Sequence, residues 1–313
     1  MQSPSFEPLF VVGCPRSGTT WLQLLLSKHP SVATAPETQI FAYYLDHFRR
    51  QWREEHEGDT AQLQGRAGLS RLLSQEDFEA LCKLNASTVL EKIAQKRPGA
   101  TIVMEKSPRH ALQAEFIRRH FPDARFLHVV RDPRDTVTSL MAAGRSWGRS
   151  WAPRNAIEGA RMWKEHVLAA RRLAGDERYR EVRYERLKAA PVEELQAILA
   201  WLQLPATRAE CEEAVAACEL SKLRESDTSR LPVPGEKPLK AFFRSGSAGG
   251  WREDLARSDV RIVEHVCAAL MDELGYERSS RSRARPLRIP MHDALLRVRE
   301  SVDWQLQRLS FHV

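Results

Sequence analysis

Short apolar runs alternate along this chain with longer stretches whose apolar positions recur at helical spacing. Leu9-Phe10-Val11-Val12 lacks the polar alternation of a half-exposed strand, which predicts a parallel strand buried on both faces. From Thr19 the pattern turns helical, with Leu22, Leu25 and Leu26 on one side, as far as His29-Pro30. Ala35-Pro36-Glu37-Thr38 reads as a loop opening a helix whose apolar side carries Ile40, Phe41, Tyr44, Leu45 and Phe48. Residues 54–70 are polar and glycine-punctuated and read as a mobile segment. Helices are expected over 75–96, 111–121, from Pro133 onward, and over 156–173, 191–202 and 251–274. Strands are expected over 101–104, 125–130 and 180–184, and 222–250 reads as a long connection that covers a ligand. Strand and helix in alternation imply an α/β, P-loop-like three-layer fold, a central mostly parallel sheet flanked by helices.

Length and composition narrow the field without naming a function. With 313 residues the chain can bury a substantial core. No apolar span reaches bilayer length and no charged segment leads into an apolar one at the N-terminus, so a cytoplasmic protein without a membrane span is expected. Five cysteines, Cys14, Cys82, Cys211, Cys218 and Cys267, form no CxxC pair and no metal spacing, and read as reduced, buried thiols. The net charge of +7 admits nucleic acid as a partner, but the arginines are spread along the chain and a small polyanionic ligand explains them equally well.

Between the first strand and the first helix stands Gly13-Cys14-Pro15-Arg16-Ser17-Gly18-Thr19-Thr20-Trp21. A glycine-containing loop ahead of a helix N-terminus aims backbone N–H groups and a helix dipole at one point, an anion site. The Gly13-x4-Gly18 spacing matches half of a Walker A loop, but Thr19 stands where the lysine of a nucleotide triphosphatase belongs, and the cation is Arg16. A P-loop kinase or nucleotide-binding protein is the alternative of a different class, and the missing lysine counts against it. The strand over 125–130 delivers Arg131 at its carboxyl end, and Ser139, nearly two turns into the helix from Pro133, can look back and share a second anion with it.

Cys14-Pro15-Arg16-Ser17-Gly18-Thr19-Thr20-Trp21, paired with Val130-Arg131-Asp132-Pro133-Arg134-Asp135 and Ser139, resembles the sulfotransferases that use 3′-phosphoadenosine 5′-phosphosulfate (PAPS). The resemblance covers most of the chain. It implies that Arg16, Ser17, Gly18, Thr19, Thr20 and Trp21 hold the 5′-phosphosulfate, that Arg131 and Ser139 hold the 3′-phosphate, and that Tyr184 of Tyr-Glu-Arg-Leu contacts the nucleotide. Arg244-Ser245-Gly246 resembles the Arg-Lys-Gly segment that closes over the 3′-phosphate, with Ser245 in place of the lysine. His29-Pro30-Ser31-Val32, Glu37-Thr38, Leu220-Ser221-Lys222 with Ser226, and Leu274-Gly275-Tyr276 resemble the tyrosylprotein sulfotransferases and their bacterial relatives, in which that glutamate is the general base.

On this resemblance Glu37 takes the proton of the incoming hydroxyl or amine, while Arg16 and Lys106 meet the charge on the leaving oxygen. Taken alone, Glu37 reads instead as a carboxylate at a helix N-terminus. Pro108 stands where the cytosolic small-molecule branch has its histidine base, and His110 is the second candidate base. Trp21 stacks on the adenine or packs in the core. No metal is expected. The acceptor is read as a small molecule, with a tyrosine peptide as the alternative; Phe41, Tyr43 and Tyr44, at helical spacing, read as core rather than as its pocket. Residues 1–277 read as the sulfotransferase domain and 278–313 as a basic linker with an amphipathic helix, whose stripe Leu295, Val298, Val302, Leu306 and Leu309 packs on the same domain or on a second subunit.

Overall fold

The computed structural model describes residues 6–57, 68–219, 246–279 and 286–294. The first apolar run becomes β1, Glu7–Gly13. Successive side chains of a strand point to opposite faces, and both faces of β1 are covered. Leu9 and Val11 join a buried cluster with Leu22, Leu25, Leu127 and Ile198. Phe10 and Val12 join another with Phe41, Phe78, Phe116 and Phe126. An alternating sequence would have pushed polar groups into one of those layers, and this is why the run is uninterrupted.

Four further strands pair with it in parallel: β2 (Val32–Thr34), β3 (Ile102–Glu105), β4 (Arg125–Val130) and β5 (Tyr179–Arg183), in the order β2-β3-β1-β4-β5. Leu9 lies opposite Met104 of β3 and Arg125 of β4, and Gly13 opposite Val129. Helices α1 (Thr19–Leu26), α2 (Leu45–Glu57), α3 (Gln75–Ala94) and α4 (Ala114–His120) link the first four strands. After β4 come α5 (Pro133–Gly144) and α6 (Ala156–Arg171), and after β5 come α7 (Tyr184–Ala189), α8 (Pro191–Trp201) and α9 (Arg208–Ala217). Further on come α10 (Trp251–Asp254), α11 (Arg257–Val266) and α12 (Ala268–Glu273), and residues 288–294 are helical again.

Contacts divide the chain into two units, one formed by 1–131 and 165–248, the other by 132–164 and 249–313. The first contains the sheet. The second is organised on Arg134, which pairs with Asp132 and Glu264 at 2.7 Å each and lies over the Trp251 ring. Glu264 also accepts from the backbone and hydroxyl of Ser279, and Arg288 pairs with Asp259.

Several elements depart from the sequence reading. β2 and α9 carry too few periodic positions to stand out, and each is held by packing. The helix expected from Pro36 starts later, as a π-helical turn over Ile40–Tyr44 that leads into α2, because Thr38 and Gln39 are tied to the end of β3. In that wider turn Phe41 is buried, whereas Tyr43 and Tyr44 are 69% and 61% exposed, so those two are surface and not core. Residues 54–57 belong to α2 and Leu69–Arg71 form a 3₁₀ turn, while 58–67 lie outside the described residues. The helix expected over 111–121 is a 3₁₀ turn, Pro108–Gln113, followed by α4. Tyr184 opens α7 instead of ending a strand. Most of the 222–250 connection and the stripe from Leu295 to Leu309 lie outside the described residues. Among the described residues, no helix is long and apolar enough to cross a membrane.

Candidate active site

β3, β1 and β4 are neighbours in the sheet, and just past their carboxyl ends at Glu105, Gly13 and Val130 the sequence carries Lys106, Arg16 and Arg131. In a parallel sheet those ends share one edge, the edge at which ligands bind. Strand order thus gathers three cations that are far apart in sequence.

The loop after β1 is shaped by steric necessity. A Cβ on Gly13 would stand 2.6 Å from the Val129 carbonyl oxygen and 2.9 Å from Ser17 Oγ. One on Gly18, whose φ is +104°, would enter the Tyr184 ring at 2.3 Å. Arg16 is also left-handed, with φ of 74°. Ser17 Oγ is buried with no hydrogen-bond partner among the described residues. α1 then starts without a side-chain cap, so its first N–H groups are open to an outside acceptor. An orphaned buried hydroxyl, a loop with no room for a side chain at Gly13 or Gly18 and an uncapped helix together fit a bound phosphate or sulfonate.

Two side chains brace this loop. Tyr184 lies against Gly18, meets Trp21 edge-on and donates its hydroxyl proton to the Gly246 carbonyl at 2.7 Å. Arg131 lies over the Tyr184 ring and donates to the carbonyls of Arg16 at 3.1 Å and Ser247 at 2.8 Å. Trp21 donates from its indole nitrogen to the Cys218 carbonyl, and the Lys188 ammonium lies 5.1 Å from its ring centroid. Ser139 is buried in α5 of the second unit. Ser226 and Arg244 lie outside the described residues.

Lys106 is fully buried, and its ammonium sits 2.5 Å from Glu37 Oε1 and 3.2 Å from Thr20 Oγ1. A buried ammonium needs a counter-charge, and Glu37, 20% exposed, supplies it while keeping a path to solvent. The other carboxylate oxygen, Oε2, accepts from the Gln39 side-chain amide at 2.7 Å. Glu37 therefore does not act as a helix-terminus carboxylate, since the helical turn begins three residues later at Ile40.

The loop that carries Glu37 is bolted to the end of β3. Glu105 Oε1 accepts from the Thr38 backbone at 3.1 Å, the Thr38 hydroxyl at 2.8 Å and the Ser107 hydroxyl at 2.7 Å. Ser107 Oγ accepts from the Gln39 backbone and His110 Nε2 from the Phe41 backbone. A backbone N–H only donates, so Nε2 of His110 is unprotonated and its ring proton sits on Nδ1, 2.8 Å from Glu105 Oε2. Burial pushes the Glu105 carboxyl up, but the facing imidazole and the Ser107 and Thr38 hydroxyls outweigh it and hold it at about 2. His110 is fully buried, with Nε2 taken by the Phe41 N–H and Nδ1 facing Glu105, and it sits within this frame. Glu105, Ser107 and Gln39 are absent from the residues that the sequence singles out. The signal was Glu105-Lys106-Ser107, three polar residues closing an apolar strand, all buried.

The profile described as "Sulfotransferase family" matches residues 8–208. Among curated proteins, the chain is 25% identical over 299 residues to the nodulation protein NoeE of Sinorhizobium fredii, covering 86% of this chain and 66% of that protein. It is 29% identical over 208 residues to a protein-tyrosine sulfotransferase of Drosophila melanogaster, covering 63% of this chain and 38% of that one. The chain thus spans from about two thirds to little more than a third of these relatives. In fold it is similar to the mouse sulfotransferase SULT7A1 complexed with PAP, with a TM-score of 0.58 at 16% identity, covering 87% of this chain and 88% of that one. The match takes in the sheet, the loop after β1 and the Lys106–Glu37 pair together, and the chain belongs to the sulfotransferase family.

Proposed function

We propose that this protein transfers the sulfuryl group of PAPS to a hydroxyl or amine acceptor, with Glu37 as general base. The observation that carries the reading is the Lys106–Glu37 pair, 2.5 Å apart and anchored on Thr20 of a loop whose buried Ser17 hydroxyl has no partner among the described residues. When bound, PAPS would supply the sulfonate and a phosphate leaving group. Ser17 to Thr20 and the N-terminus of α1 bind anionic oxygens, and Arg16 and Lys106 meet the charge that grows on the leaving oxygen. Glu37, its carboxylate held between Lys106 and Gln39, would receive the proton that the hydroxyl or amine acceptor gives up on sulfation. In this reading Arg131 and Ser139 contact the 3′-phosphate, Tyr184 and Gly246 lie beside the nucleotide, Trp21 flanks the loop, and Ser226 and Arg244 contribute from 220–245.

The acceptor is read as a small molecule; a cavity of about 430 Å³ in the first unit, walled by Ala42, Asp46, Arg109 and Gln113 among others and not by Glu37 or Lys106, has the size for one. Relatives named protein-tyrosine sulfotransferases make a tyrosine peptide the alternative acceptor. The catalytic domain is read as 1–277, with 278–313 as linker and helix. A cytoplasmic location suits five cysteines that are all buried thiols, with Cys82 and Cys218 pushed up to about 11 by burial.

The test is calorimetry with 3′-phosphoadenosine 5′-phosphate (PAP), alongside transfer from ³⁵S-PAPS to a panel of phenols, oligosaccharides and tyrosine-containing acidic peptides. PAP is expected to bind without added metal and more tightly than adenosine 5′-phosphate, and ATP with Mg²⁺ weakly. Equal affinity for PAP and adenosine 5′-phosphate would overturn the PAPS reading, and labelling confined to the peptides would move the acceptor to the tyrosylprotein type.

A further inference from the structure

The carboxylate of Glu37 is held from two directions, and only one of them involves a residue with an expected role. Lys106, from the end of β3, takes Oε1, and Gln39, from the same loop, takes Oε2 at 2.7 Å. A carboxylate oxygen only accepts, so it is the amide nitrogen of Gln39 that faces it. Gln39 reaches back across Thr38 because its backbone is left-handed, with φ of 55°. That conformation is uncommon outside glycine, and here its neighbours impose it. The Gln39 N–H donates to Ser107 Oγ at 3.0 Å, the Thr38 N–H to Glu105 Oε1 at 3.1 Å and the Phe41 N–H to His110 Nε2 at 3.1 Å.

We propose that Gln39 is a positioning residue for the transfer step: it fixes the plane of the Glu37 carboxylate and tunes its basicity, and Glu105, Ser107 and His110 are the frame that turns Gln39 toward it. The proposal rests on the reading of Glu37 as general base. Two donors on two oxygens leave the carboxylate little rotational freedom, so its remaining lone pairs point in set directions. A hydrogen bond to the charged form also disfavours protonation. Among the described residues the charged group facing Glu37 is Lys106, which the substitutions below leave in place. Strain at a left-handed non-glycine residue is a common mark of a functional site, and Gln39 has an identifiable reward for it in the bond to Glu37.

The test uses the full-length protein carrying Gln39→Met, which keeps length and loses the donor. Gln39→Asn is its companion, tolerating the left-handed backbone while falling one methylene short of Glu37. Gln39 is half-buried, so both variants are expected to fold, and thermal melting checks this. The Glu37 carboxyl titration is followed by NMR with ¹³C-labelled glutamate, its signal identified by its loss in Glu37→Gln. Both variants should move the midpoint of that signal to higher pH, with PAP affinity unchanged. Turnover of the best acceptor from the ³⁵S-PAPS panel should fall roughly tenfold in kcat with little change in KM, the order of one charged hydrogen bond. An unmoved midpoint in both variants would overturn the proposal. Should Glu37→Gln itself keep wild-type turnover, the general-base reading fails instead, and the NMR midpoint still reports whether Gln39 tunes that carboxylate.

Discussion

Gly18 and Glu37 show how much a single group decides in this protein. A methyl group at Gly18 would meet the Tyr184 ring at 2.3 Å and would sit on a backbone with φ of +104°. Gly18→Ala should therefore destabilise the fold by about 1–3 kcal/mol and abolish the rise in Tm caused by PAP, which thermal melting with and without PAP will read. Glu37→Gln is different in kind, since it keeps the size of the side chain but removes the proton acceptor, the charge that faces Lys106 and one of the two accepting oxygens. We expect PAP affinity close to wild type and a fall of roughly 10²–10⁴-fold in the single-turnover rate; a near-normal rate would remove Glu37 from the chemistry. The residue types were legible at this scale. Glycine, serine and threonine between an apolar strand and a helix mark a tight turn with backbone N–H groups at a helix N-terminus, a pattern written within a few residues. The part of Gln39 was not legible, since its amide reaches Glu37 only once the backbone is turned left-handed by Ser107 and Glu105, 68 and 66 positions away.

The elements differ in how openly they announce themselves. β1 and β4 are apolar runs with a burial demand on both faces, and α3 opens with a capping box in which Ser74 and Asp77 satisfy each other, so each is specified locally. β2, three residues long, is a strand only because β3 pairs with it. The turn after Gln39 departs from its apolar spacing for a similar reason: that spacing predicts which residues could be buried, and the hydrogen bonds at the end of β3 decide which are. Tyr43 and Tyr44 lost that contest and stand in solvent. At this scale Arg131 is the link between the end of β4, the loop after β1 and Ser247. If it also meets a 3′-phosphate, Arg131→Ala should lower PAP affinity by about 10–100-fold, the order of one or two lost charged hydrogen bonds, and bring it level with that for adenosine 5′-phosphate. Calorimetry with both nucleotides decides the matter, and an equal loss for the two would leave Arg131 as a brace for the loop alone.

For the molecule as a whole, acid is the condition to probe. His128 stands in the apolar β4 run, fully buried, with Nδ1 2.6 Å from the Tyr179 hydroxyl. Burial, then the nearby Arg171 and His166, bring its imidazole down from 6.5 to about 3. Between those values the unfolded chain binds a proton that the folded one does not, so this contribution to stability is complete above pH 6.5 and is lost as the pH falls through the window. At pH 5 the loss from this residue alone should be about 2 kcal/mol. Glu105, lowered from 4.5 to about 2, acts in the same sense further down. Urea unfolding of wild type and His128→Gln at pH 7 and pH 5 should show a smaller fall for the variant; parallel falls would assign the acid sensitivity elsewhere. By itself the sequence determined the parallel α/β class and the glycine-containing turn between β1 and α1, because burial demand and steric room act over a few residues and leave a local pattern. The tertiary structure alone decided that β3, β1 and β4 are neighbours, that Glu37 faces Lys106 rather than a helix dipole, and that His110 is a buried frame member. Those outcomes depend on strand order and on hydrogen bonds between segments about 70 residues apart, and no local pattern encodes either.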